Sequence, residues 1–223
     1  MRTRQLTAVA TLSAAALLLT ACGGSPLDDK TGPEVADAAA DALEKAGSVH
    51  VTGEIAQEGE EGSIDLHLQG DDAIGSITMG GSELQLLSVG GSVYLQGGAD
   101  FWESAGLPEE ATGLLDGEWV IVPADSTSDF EQFSFADIVD SLRNPESEVQ
   151  EEVSSDELDG KEVVVVEQED GSRLSVADEE PTYPLRLEDE SDSSTLTLSR
   201  FGEKEDITEP EDALDLAELA GGA

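Results

Sequence analysis

The feature that most constrains this chain is a change of period. From Val49 onward apolar residues stop recurring every three or four positions and begin to alternate. Val49, Val51 and Ile55 alternate with His50, Thr52 and Glu54. Ile64, Leu66 and Leu68 alternate with Asp65, His67 and Gln69, and Ile77, Met79, Leu84, Leu86, Val93 and Leu95 follow. A period of two places one set of side chains on each face of a pleated strand. Breaks at Gly70, Gly80-Gly81, Gly90-Gly91 and Gly97-Gly98 fall at the spacing of tight hairpins. The expectation is an antiparallel meander with one apolar face and one wet face.

Before the meander, "PEVADAAADALEKAG" places Val35, Ala38, Ala39, Ala42, Leu43 and Ala46 at helical steps, with Pro33 at the start and Gly47 at the stop. This predicts one amphipathic helix with a slim, alanine-rich face. After the meander, residues 107–115 and 134–144 read as short helices, and the second carries Phe135, Ile138, Val139 and Leu142 on one side. Residues 117–123 read as a strand between them. Strands resume at 162–168, 172–177, 183–188 and 195–200, and the chain from 211 to 223 reads as a short helix and frayed tail. A wide, curved antiparallel sheet that buries its apolar face against a few helices accommodates these elements. The class is α+β, with about nine or ten strands in one domain spanning 33–210.

The start of the chain has a different logic. Arg2 and Arg4 precede Leu6 to Leu19, an uncharged run of about 14 residues, too short to cross a bilayer comfortably. Leu19-Thr20-Ala21-Cys22 then fits a lipobox, in which the cysteine thiol is acylated and the peptide bond between Ala21 and Cys22 is cut. Cys22 is the only cysteine, so no intramolecular disulfide competes for it. Residues 1–21 are thus expected to be a lipoprotein signal peptide. Residues 22–32 are expected to be a polar, lipid-anchored tether, which places the domain at the extracytoplasmic face of the cell membrane.

Charge narrows the partners. Losing Arg2 and Arg4 moves the formal charge from −41 to −43. Such a chain repels nucleic acid and anionic headgroups. The acidic clusters at Asp28-Asp29, at Glu58, Glu60 and Glu61, and from Asp189 to Asp192 lack calcium-loop order and read as solvated surface.

Catalysis is poorly supplied: there is no nucleophile elbow, no phosphate loop and no free cysteine once Cys22 is acylated. The chain is read as a non-enzyme that needs no cofactor. One metal-like arrangement follows from strand pairing. If Val51 lies opposite Leu66, then His50 lies opposite His67, with Asp65 diagonal to His50, although exposed cross-strand histidines are more often plain wet-face residues. Aromatic residues make up only 4% of the chain, which argues against a sugar-cleaving cleft. Trp102 and Trp119 read as core or rim. The inner face is aliphatic, and whether it packs solid or leaves an apolar hollow is not a property of periodicity.

The order of parts resembles a known group. A lipobox, a polar tether, an N-terminal helix, a glycine-punctuated meander containing "GGSVYLQGGADFW", then "GEWVIVP", a middle helix, "LDGKEVVVVEQEDG" and "YPLRLEDE" are together similar to the LppX/LprA/LprG-type lipoproteins of actinobacteria, within the LolA-like superfamily. The likeness spans roughly residues 34 to 208. It implies a half-barrel of about ten or eleven strands around helices, enclosing an apolar cavity that holds acyl chains of lipids, glycolipids or lipoproteins. Carried onto this chain, Val51, Leu66, Ile77, Leu86, Val93, Val163, Leu174 and Leu185 would line the core or cavity, with the helices at 107–115 and 134–144 at its mouth. A second implication is an anchored sensor or interaction module that binds an envelope protein without lipid cargo.

Overall fold

The computed structural model describes residues 25–57, 60–123, 126–127, 130, 133–191 and 193–216. The expected signal peptide, its cleavage site at Ala21 and Cys22, and the end of the expected C-terminal helix lie outside these residues. Every described contact falls after residue 24, so a chain beginning at residue 23 keeps all of them.

Helix α1 (Gly32–Ala46) forms where the sequence places it. Glu34 accepts from the Thr31 backbone N–H at 2.9 Å, which pulls its carboxyl below the usual range. Gly47 ends the helix at φ 70°, its N–H donating to the Leu43 carbonyl. The buried face includes Ala36 and Ala40 as well as Val35, Ala39, Ala42 and Leu43, so it is broader than the expected stripe. Small side chains let the helix lie close on the sheet.

The meander is β1 (Ser48–Gln57), β2 (Glu60–Gln69), β3 (Asp72–Met79), β4 (Ser82–Val89) and β5 (Ser92–Gly97). Two short helices, α2 (Ala99–Ser104) and α3 (Glu109–Leu115), lead to β6 (Trp119–Ile121), and α4 (Phe135–Arg143) follows. Next come β7 (Val149–Leu158), β8 (Lys161–Gln168), β9 (Arg173–Ala177), β10 (Pro184–Asp189), β11 (Ser194–Ser199) and β12 (Leu214–Asp215). The twelve strands make one sheet in the order β12-β6-β5-β4-β3-β2-β1-β11-β10-β9-β8-β7. Every pairing is antiparallel except β12 with β6, and the sheet is curved and unclosed.

Two strand glycines allow unusually close approach of neighbouring strands. Gly53 in β1 sits opposite Ile64 and Leu196, and Gly75 in β3 sits opposite Leu66 and Leu86. A Cβ at Gly53 would enter the Thr195 carbonyl oxygen, and one at Gly75 would enter that of Asp65. Strands approach this closely only where a side chain is missing, and glycines at such positions favour a curved sheet. The concave face carries Val49, Val51, Leu66, Leu68, Leu86, Leu95, Val120, Val164, Val166, Leu174, Val176 and Leu198 in one buried cluster with α1 and α4.

Four elements depart from expectation. Strand β7 has no apolar alternation and is almost wholly exposed; it is held as a strand by its backbone ladder to β8 and packing against α1. Helix α2 lies inside a segment read as part of the meander. At the C-terminus a two-residue strand pairs with β6 where the sequence predicts a helix. Most consequentially, the expected tether is packed from Ser25 onward: the Ser25 hydroxyl donates to Asp178, and Leu27 is 3% exposed within the core cluster.

Among the described residues no helix is long and apolar enough to cross a membrane.

Candidate functional site

Helix α4 decides what the concave face leaves open. Ser134 caps it, its hydroxyl oxygen accepting from the Asp137 N–H at 3.1 Å, and Phe135, Val139 and Leu142 face the sheet. Its other end is tied to α1 by Arg143, whose guanidinium donates to Glu44 at 2.7 Å and Asp41 at 2.8 Å. Those two carboxylates, Glu44 foremost, raise the Arg143 pKa above its ordinary value. Both carboxylates are well exposed and the guanidinium is partly so, which means that the clasp orients the helices more than it stabilises them.

Between α4 and the strands β1, β10 and β11 lies an open hollow of about 470 Å³. Its floor is Ile55, Leu187, Leu196 and Phe133, each half-buried and packed against the main core. Among the described residues its rim carries Glu146, Asp170, Glu188 and Asp189 against one cation, Arg173, which is itself paired with Glu167 at 2.9 Å. Volume and lining suit a ligand with an apolar body. The rim's charge disfavours an anionic head.

A smaller hollow of about 260 Å³ opens at the other end of the same face, against β3, β4 and β5. Ala73, Leu86 and Val93 form its floor, with Phe130, Phe133 and Ala136 on the side of α4.

The eight aliphatic residues singled out from the sequence therefore divide. Leu86 and Val93 line the smaller hollow. Val51, Leu66, Ile77 and Leu174 lie in the main core, beneath the helices. Val163 and Leu185 differ from expectation: they sit on the opposite face in a second cluster with Val165 and Ala177. The reason is local. In the run Val163–Val166 all four residues are buried, so no alternation marks the inward pair, and a register shift between Pro184 and Arg186 turns Leu185 outward. The larger hollow's own walls, Ile55, Leu187 and Leu196, carry the right alternation but are marked only by where α4 stops. Helix α3 borders neither hollow.

The β1–β2 register is the one the alternation predicts, but the expected wet-face trio is not all wet, because His67 is buried. His50 pairs with His67 and Thr52 with Asp65, and His50 Nε2 lies 2.7 Å from Asp65 Oδ1. His67 does not join them: it is 3% exposed, and among the described residues neither of its ring nitrogens has a hydrogen-bond partner. Among the described residues no three such side chains are grouped to hold a metal ion. Burying a polar ring without partners is costly. His67→Leu is accordingly expected to raise stability by about 1 kcal/mol, the lower end of the penalty for an unmatched buried polar group. A rise in the urea midpoint at unchanged slope checks this, and a fall would mean the ring is hydrogen-bonded in solution.

No family model and no curated protein matches the chain. Among solved structures it is similar to an uncharacterized conserved protein from Thermus thermophilus, at 13% identity and a TM-score of 0.41, over 82% of this chain and 96% of that one.

Proposed function

We propose that this chain is a lipid-anchored lipoprotein of the outer leaflet of the cell membrane, a LolA-like half-barrel that holds the acyl chain of an amphiphile on its concave face. The observation that carries the reading is the open hollow of about 470 Å³ floored by Ile55, Phe133, Leu187 and Leu196. Apolar side chains left half-buried on the inside of a curved sheet gain by being covered with hydrocarbon, at about 25 cal/mol per Å². The Cys22 thioether keeps the domain at the bilayer. An acyl chain then moves from one apolar medium to another, so the transfer is nearly balanced and reversible, and no nucleotide or metal takes part. The acidic rim favours a neutral or cationic head rich in hydroxyl groups, as in a glycolipid.

Native mass spectrometry and solvent extraction of residues 23–223, purified without detergent, test the reading. A stoichiometric adduct that extracts as lipid is expected. A clean apo mass, with no uptake of offered lipid, counts against a carrier. In the full chain, Cys22→Ala is expected to move the protein from the membrane to the soluble or precursor fraction.

A second reading is an anchored module that binds an envelope protein. Strand β7 favours it, because a ten-residue edge strand offers a backbone ladder on its free side. Its Glu151, Glu152, Asp156 and Glu157 also deter indiscriminate pairing. A partner crosslinked at β7, with substitutions in the hollow silent, would select this reading.

A further inference from the structure

The two hollows are not independent, because one side chain belongs to both. Phe133, immediately before the Ser134 cap of α4, lines the larger hollow with Ile55, Leu187 and Leu196 and the smaller one with Leu86 and Val93. Both lie on the same apolar face of the sheet and open at opposite ends of it. The larger is reached past the β9–β10–β11 strand ends at Asp170 and Asp189, the smaller past the turns at Gly70–Asp72 and Gly91. A residue that only filled the core would be enclosed by it. Phe133 is instead half-buried, touching the main cluster and facing open space on two sides.

We propose that Phe133 is the end wall of the larger hollow and sets the length of acyl chain it accepts. This inference rests on the lipid reading above and specifies its site. With the ring in place a chain entering over Arg173 and Glu188 stops at Phe133. With the ring removed the chain continues beneath the start of α4 toward Leu86 and Val93. Those residues already present an aliphatic surface, so each additional methylene that passes the wall is buried. One buried methylene is worth about a fourfold gain in affinity.

The test uses residues 23–223, with short-, medium- and long-chain monoacylglycerols offered below their micelle concentrations and binding followed calorimetrically. These neutral probes avoid repulsion by the acidic rim. Wild type is expected to gain affinity with chain length up to a plateau. In Phe133→Ala the plateau moves to longer chains, and the ratio of long-chain to short-chain affinity rises about tenfold or more, equivalent to two or more methylenes. Phe133→Leu moves it part of the way, and Phe133→Trp moves it toward shorter chains.

If wild type binds but the three variants change all chain lengths by the same factor, Phe133 is a packing residue and this inference fails while the lipid reading stands. If wild type binds no chain of any length, the lipid reading fails and the inference with it. Phe133→Leu and Phe133→Trp keep most of the side-chain volume, so the comparison survives even if Phe133→Ala does not fold.

Discussion

Gly75→Ala is expected to cost about 3 kcal/mol or more, the upper range for overpacking at a buried site. The residue has φ 154° and no room for a Cβ, which would enter the Asp65 carbonyl oxygen of β2 and crowd the Leu66 Cα. Backbone cannot step aside without breaking the Leu66–Gly75–Leu86 row on the concave face. Gly53→Ala makes the same intrusion on Thr195 of β11 and should behave alike. Gly113→Ala is the control: it lies in α3 with nothing within 4 Å of its added Cβ, and a gain of about 0.5–1 kcal/mol is expected from helix propensity alone. Urea unfolding of the three variants decides the matter. If Gly75→Ala were as stable as Gly113→Ala, the close approach of β2 and β3 would not exclude a side chain there.

Trp102→Ala is expected to cost about 3–5 kcal/mol, the range for truncating a buried large aromatic. Trp102 is 3% exposed and stands edge-on to Phe101 at 4.9 Å. Its indole N–H is shared between the Gly97 and Leu115 carbonyls, each at 3.1 Å, so one group ties the end of β5 to the end of α3. Trp102→Phe separates the two contributions. It keeps most of the apolar contact but strips both carbonyls of this donor, for about 1–2 kcal/mol. Thermal unfolding read by near-ultraviolet circular dichroism measures both. Equal losses for Phe and Ala would assign the effect to the hydrogen bonds, and no loss for Phe would assign it to packing.

The parts of this fold legible in the sequence are those where one physical signal acts alone. Alternation gave the β1–β2 register down to His50 opposite His67, because one face of that pair is buried and a slip of one residue would invert it. Helical spacing placed α1 and α4 to within a residue or two. Strand β7 was not legible, since a strand held only by its neighbour's backbone needs no apolar pattern. Helix α2 is six residues long, shorter than two helical turns, and its anchor Trp102 looks the same in sequence whether in core or rim. The hollow was least legible. Ile55, Leu187 and Leu196 differ from the enclosed Val51 and Leu198 only in lying beyond the reach of α1 and α4, and that depends on the Arg143 clasp and the Ser134 cap rather than on the strands.

The docking of Leu27 changes what an anchor at Cys22 would mean. Ser25 is fixed to Asp178, so only Gly23 and Gly24 would separate an acylated Cys22 from the folded body, three Cα steps or about 10 Å at full extension. On so short a leash the domain would not roam far above the bilayer. Leu27 docks near the end of α1 with Lys30 and Lys45 beside it, and Lys204 stands by the Gly70 and Gly90 turns. Asp41 and Glu180 line the same hollow as Lys30 and Lys45, and Asp71 and Asp72 that of Lys204, so the lysines do not outnumber the acids beside them. Held that close, a protein of formal charge −43 would be repelled by anionic headgroups and would favour a neutral or cationic surface.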